Sequence, residues 1–345
     1  MDWYAIFSNA LTQAFGAGVI IYALAAVGLN VQFGYTGLLN FGQAAFAAMG
    51  AYGVAIGVVT LGWPFWPSVL LGLVAAIVLA LLLGVSTLRL RADYLAIATV
   101  AAAEAIRRVF RTVELSDVTG GAEGLRGFAD TFRDYGFALG EFLNRFGIDL
   151  QLQRGGRFEL GPLFYTGTHL WVMIVGWSLV AVCLLVVWLA MRSPWGRVLK
   201  AIREDEDAVR SLGKNAFSYK IQSLVLGGVI GALAGFVQAV RLSSVAPDQY
   251  HTQFTFYLYA VLILGGAARI FGPVVGAMIF WFLFNFLTSF LDQVSRLEVL
   301  PAGILDPTQV GSVVFVLLGA GIILMLIFRP QGIFGDRREI SLNVR

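Results

Sequence analysis

The sequence predicts an all-α integral membrane protein with about eight to ten transmembrane helices, some of them broken or re-entrant. Three observations predict it. Of the 345 residues, 58% are hydrophobic and only 13% charged, where a soluble domain carries roughly a quarter charged residues, and the mean hydropathy is +0.79. The apolar residues gather into runs close to the ~20 needed to cross ~30 Å of hydrocarbon. Charge, by contrast, is concentrated in a few polar segments, above all 191–220, MRSPWGRVLKAIREDEDAVRSLGKNAFSYK.

Nine segments are candidate spans: 11–30, 38–60, 68–88, 93–110, 169–191, 219–240, 254–268, 272–291 and 309–328. The opening MDWYAIFSNA lacks a basic n-region and a clear cleavage site, so no removable signal peptide is expected. The first four spans form an N-terminal transmembrane half, 1–110. Within it, GYTGLLNFGQAAFAAMGAYGVAIG (34–57) sets Tyr35, Thr36, Asn40 and Gln43 beside glycines at membrane depth. Irregular backbone at that depth is tolerated only where it is buried in protein or lines a cavity. Asn40 and Gln43 therefore have two readings: interhelical hydrogen bonds, or the lining of a translocation path. Phe41 and Tyr94 are aromatic candidates for the same path, although such residues at helical spacing more commonly pack or face lipid.

The fourth span ends in Glu104, Arg107 and Arg108. Charge in a membrane is costly and usually paired, and the four-residue spacing of Glu104 and Arg108 allows a local ion pair, expected near the external interface. Asp93 is placed to cap the start of this helix. Residues 111–168 are too polar to span, with charges of both signs and breaks at Gly120-Gly121, Gly155-Gly156 and Gly161-Pro162. They are expected to form an extracytoplasmic loop region, either solvated with short helices or a docking surface for an external partner.

The C-terminal transmembrane half, 169–335, holds the other five spans. Gly227, Gly231 and Gly235 recur every four residues, a spacing that lets helix backbones approach closely. Gly265-Gly266, continuing to Gly272-Pro273 and Gly276, is the second-half counterpart of the glycine-rich 34–57 stretch, as transporters often repeat broken segments in two halves. The polar segment 192–220 carries seven basic residues and four consecutive acids, Glu204 to Asp207, and reads as a short two-signed helix that Gly213 terminates. Lys and Arg in this loop and in the tail place both in the cytoplasm, with four crossings between them, Arg89 and Arg91 inside, the 292–308 loop outside, and the N-terminus outside unless one early segment is re-entrant. Residues 336–345 form the cytoplasmic tail.

Several chemistries are excluded. There is no G-x-x-x-x-G-K-[ST] phosphate cradle, no HExxH and no GxSxG, so neither P-loop ATP hydrolysis nor a familiar intramembrane hydrolase is expected, and no catalytic residue is assigned. The single cysteine, Cys183, forms no intrachain disulfide, and His169 and His251 stand alone, which leaves no metal site. A self-sufficient secondary transporter is the alternative of another class, but such carriers usually hold several ionisable residues deep in their spans, and here most charges lie in loops or at span ends.

The polar segment resembles the cytoplasmic loop of ABC-importer permeases of the branched-chain amino acid type. The likeness continues in the same order along most of the chain: GLNVQFGYTGLLNFGQAAFAAMGAYG (28–53), LRLRADYLAIATVAAAEAIRRV (88–109), TGGAEGL (119–125), LILGGAARIFGPVVGA (262–277) and RPQGIFG (329–335) each resemble the LivM-type subunit. The stretch 126–160 departs most. The resemblance implies a bacterial-type cytoplasmic (inner) membrane protein working with a LivH-type sister permease, two cytoplasmic ATPase subunits that hold ATP and Mg, and an extracytoplasmic solute-binding protein. It implies no cofactor on this chain. It also implies a coupling helix near Ala201 to Gly213, with Arg203, Glu204, Asp205, Glu206 and Ala208 as ATPase contacts. Branched-chain amino acids are the implied cargo, with other neutral amino acids, urea or short amides as alternatives within the class.

Overall fold

Long apolar runs fold as helices because a helix satisfies every backbone polar group within its own segment. The computed structural model describes residues 2–88, 92–147, 151–152, 156–160, 163–296, 310–329 and 331–335. Arg89, Arg91, most of the 292–308 loop, Gly155, Gly161-Pro162, the side chain of Asp93 and the tail 336–345, all singled out above, lie outside the described residues.

The helices are α1 (Trp3–Phe15), α2 (Ala17–Leu29), α3 (Gln43–Ala55), α4 (Phe65–Thr87), α5 (Ala92–Arg111), α6 (Ser116–Thr119), α7 (Asp130–Asn144), α8 (Gly167–Arg192), α9 (Pro194–Glu204), α10 (Glu206–Ser211), α11 (Ala216–Leu242), α12 (Thr252–Gly265), α13 (Gly272–Arg296) and α14 (Val310–Phe328). Wider π turns extend α2 through Asn30–Tyr35 and α3 through Ile56–Thr60. Among the described residues, seven helices are long and apolar enough to cross a membrane: α2 and α3 with their extensions, α4, α8, α11, α13 and α14. The other two expected spans differ for identifiable reasons. α5 carries Glu104, Arg107, Arg108 and Arg111 along its second half, and α12 has only 14 residues.

At the centre, α2, α3 and α11 pack together, each buried on nearly all sides, while α14 is peripheral. Small residues set the spacing of this centre. A methyl group on Gly227 would collide with the carbonyl of Gly28, and one on Gly235 with the carbonyl of Ala47, so the four-residue glycine ladder is the close-contact face of α11.

The described residues of 111–168 include the short helices expected, α6 and α7, and two strand pairings besides. Leu125–Arg126 (β1) pairs antiparallel with Ser244–Val245 (β4), and Arg157–Leu160 (β2) forms a hairpin with Leu163–Thr166 (β3). Phe128, Phe132 and Leu152 are buried, and the Trp171 indole donates 2.8 Å to the Phe132 carbonyl. The segment thus caps one end of the bundle, where the α8 start and the α11 end lie. At the opposite end sit α9 and α10 together with residues 331–335, whose Ile333 and Phe334 amides donate to the Leu264 and Gly265 carbonyls. Residues 331–335 and the α9–α10 element therefore share one end.

Candidate coupling and translocation site

Between Tyr35 and Gln43 the chain leaves helical geometry and returns into the bundle, and its polar groups must find partners there. Asn40 and Gln43 supply many of them. Both are buried. The Asn40 amide donates 2.7 Å to Gln32 Oε1 and its Oδ1 accepts the Gly42 amide at 2.8 Å. Gln32 and Gln43 donate to the Leu224 and Gly227 carbonyls of α11 at 3.1 and 3.0 Å, one helical turn apart. Thr36 shares a 2.7 Å hydroxyl contact with Ser223 of the same helix.

Neighbouring helices satisfy the backbone of the break. Thr99 of α5 accepts the Phe41 amide at 3.0 Å, Thr255 of α12 accepts the Ala44 amide of the first turn of α3 at 3.0 Å, and the Tyr259 hydroxyl donates to the Asn40 carbonyl at 3.1 Å. The break is thereby tied to α5, α11 and α12. At its start, Asn30 bridges to the α12–α13 turn, donating to the Arg269 carbonyl and accepting the Ala268 amide, both at 2.8 Å. Gly265 and Gly266 form that turn, with Gly266 at φ 100°. The two glycine-rich regions read as counterparts in sequence thus meet side by side at the α9–α10 end.

The aromatic candidates separate. Phe41 stacks on Tyr259 with ring centroids 4.4 Å apart and leans on Phe256, which is largely exposed. Tyr94 is exposed and heads a stripe with Ile97, Ala101, Ala105 and Arg108 along one face of α5. On the other side of α5, Arg107 grips Glu104 through two bonds of 2.9 and 2.7 Å and reaches Asp248 at 2.7 Å, while Arg108 bonds Glu104 at 3.0 Å. The expected Glu104–Arg108 pair is present, within a larger cluster at the α7 end.

The segment expected to form one helix over 201–213 is two. Asp205 is extended at φ −155°, and its carboxylate accepts the Asp207 and Ala208 amides at 2.9 Å each, so it caps a new helix rather than continuing the old one. Gly213, at φ 76°, ends α10, and the Lys214 amide closes back on the Val209 carbonyl. Ala201, Glu204, Asp207, Ala208 and Leu212 are exposed, whereas Val209 and Ile202 anchor the pair to the bundle.

Arg203 turns inward to a partner that sequence did not suggest. Its Nη1 donates 2.6 Å to the Gly34 carbonyl, in the π turn that ends α2, and its stem lies against Gly37. Glu206 pairs with Lys220 at the start of α11 and with Arg210 at 2.7 Å. The two-signed element is therefore bonded to α2 and α11, the helices that clamp the break. Asn30, Gln32, Thr99, Thr255 and Tyr259 were not singled out from sequence; single polar residues within apolar runs were the available signal.

Comparison with known proteins places this arrangement. Residues 12–327 match the model of a family described as the branched-chain amino acid transport system / permease component. The chain is 29% identical over 324 residues to the high-affinity branched-chain amino acid transport system permease protein LivM of Escherichia coli, covering 91% of this chain and 68% of that protein. It is 30% identical to the Salmonella typhimurium protein of the same description, with the same coverage. The probable branched-chain amino acid transport permease protein LivM of Methanocaldococcus jannaschii is 24% identical, covering 93% of this chain and 92% of that one.

Proposed function

The chain belongs to the branched-chain amino acid transport system permease family, and on that premise we propose that it is the membrane-spanning subunit of an ATP-driven importer for branched-chain or other neutral amino acids. The observation that carries the ATP-driven part is the exposed α9–α10 pair joined through Arg203 and Glu206 to α2 and α11. A pair of cytoplasmic ABC ATPases, holding ATP and Mg, seats on Ala201, Glu204, Asp205, Ala208 and the tip near Gly213. Arg203 and Glu206 pass the motion inward. This reading puts α9–α10 and the C-terminus in the cytoplasm of a bacterial-type inner membrane, as the basic residues of both segments require.

A LivH-type sister permease packs on the α5 and α12 face. The alanines of the α5 stripe permit close helix approach, and Tyr94, Phe41 and Phe256 lie where a path between two subunits would run. Asn40, Gln43, Gly265 and Gly266 act behind that path, holding the break between α2 and α3 and the α12–α13 turn rather than contacting cargo from an open cavity. A solute-binding protein docks on the folded 111–168 cap. The test is reconstitution of the chain with its sister permease, ATPases and binding protein in proteoliposomes. Leucine accumulation that requires internal ATP supports the reading. Equal accumulation by the chain alone in an ion gradient sinks it, and transport of urea or acetamide without leucine moves the cargo assignment.

A further inference from the structure

At the α7 end, away from the coupling element, two cavities of about 270 and 300 Å³ adjoin one another and share Gln13 and Arg241 as walls. Arg241 lies in the last turn of α11 and is half-buried. Among the described residues it makes no ion pair and no hydrogen bond, although a guanidinium has five N–H donors that a buried site must satisfy. Its place at a helix C-terminus eases the charge, and its side chain lines the cavity rather than meeting a protein partner. Three polar atoms on the wall of the first cavity are buried without a partner: Gln238 Oε1, Gln249 Oε1 and the Trp281 indole nitrogen. Arg133 and His169 add no negative charge to the neighbourhood, and Asp248, beside Gln249, is exposed and engaged with Arg107 and Arg111, with His251 of the cavity wall 3.9 Å away.

Native structures leave few buried polar groups unpaired, so such a set around one cavity points to an occupant. The chemistry of the set defines that occupant. Unpaired donors, Arg241 and Trp281, call for an anionic oxygen pair; unpaired acceptors, Gln238 and Gln249, call for a cationic or neutral N–H donor. We propose that this cavity within a single permease subunit is a binding site for a small zwitterionic solute, its carboxylate on Arg241 and Trp281 and its ammonium between Gln238 and Gln249. It is separate from the α5–α12 face and rests on the transport reading only for the identity of the solute. Tyr22, on the same wall, faces the apolar part of the solute.

The experiment is equilibrium binding of radiolabelled L-leucine to the importer in nanodiscs without the solute-binding protein, alongside ATP-driven leucine uptake by the same importer in proteoliposomes supplied with that protein. Saturable binding is expected, displaced by isocaproate, which keeps the carboxylate, and far less by leucinamide, which lacks it. Arg241→Gln should weaken binding about tenfold to a hundredfold, the effect of removing a hydrogen bond to a charged group, and Arg241→Lys should weaken it less. The competition on unaltered protein needs no variant, so a poorly folding Arg241→Gln leaves the test intact, and Gln249→Leu provides a second one. Equal displacement by leucinamide, binding indifferent to Arg241→Gln, or no saturable binding overturns the proposal. So does native mass spectrometry showing a phospholipid held in an Arg241-dependent manner with no leucine bound, which would assign the site to a headgroup phosphate. Loss of leucine uptake with Arg241-dependent isocaproate binding retained would instead refute the cargo assignment and leave the carboxylate site standing.

Discussion

Replacing Arg203 with methionine keeps the apolar stem that rests on Gly37 and removes the guanidinium that donates 2.6 Å to the Gly34 carbonyl. A hydrogen bond from a charged group contributes about 1.5–3 kcal/mol when buried. Arg203 is largely exposed, so water screens it and the value falls to about 0.5–1.5 kcal/mol. Lost from the equilibrium that couples α9 to the end of α2, that energy corresponds to about a twofold to tenfold change in coupling. Neither α9 nor α2 depends on this bond for its fold, since Leu199 and Ile202 anchor α9 and α2 is buried throughout. Arg203→Met should therefore leave the melting temperature of the purified importer nearly unchanged while lowering amino acid taken up per ATP hydrolysed by that factor. The assay is paired measurement of uptake and phosphate release in proteoliposomes. An unchanged ratio would refute the argument that Arg203 passes motion to the broken end of α2.

Asn40→Ala strands Gln32 Oε1 and the Gly42 amide in the interior, and should cost about 1–4 kcal/mol, the low end reflecting the modest worth of interhelical hydrogen bonds in membranes; reversible unfolding in mixed micelles reads it. Gly235→Ala drives a methyl group into the Ala47 carbonyl and should destabilise by about 1–3 kcal/mol in the same assay, whereas Gly319→Ala in α14, with open space around it, should be neutral or slightly stabilising. Glu206→Lys should depress coupled ATPase activity by opposing Lys220, and adding Lys220→Glu should restore part of it, a part-buried charged hydrogen bond of about 1.5–3 kcal/mol read as activity recovered in the double variant.

Much of this architecture was legible because hydrophobic length is a strong signal. All nine apolar segments contain a helix, and residues 331–335, just after the last of them, lie at the same end of the bundle as α9 and α10. The polar element was located correctly but misdrawn. Four acids in a row read as one charged helix, yet Asp205 followed by Glu206 and Asp207 is also an N-cap with an acidic first turn, and the capping geometry prevailed. The partner of Arg203 was invisible because it is a backbone carbonyl, which has no sequence signature. Asn40 and Gln43 stood out as polar groups at depth, but whether they face a path or neighbouring helices depends on the three-dimensional placement of Gln32, Leu224 and Gly227. Short helices within 111–168 were expected, but their packing on the bundle was not legible, because Phe128, Phe132 and Leu152 are scattered through polar sequence.

The most direct test of the importer account is affinity purification of this chain from its native membrane, with identification of copurifying proteins and measurement of ATPase activity upon adding the binding protein and leucine. Copurification of P-loop ATPases and a related permease, with turnover stimulated by leucine-loaded binding protein, is the predicted result. Recovery of the chain alone, active in an ATP-free gradient assay, would contradict the account.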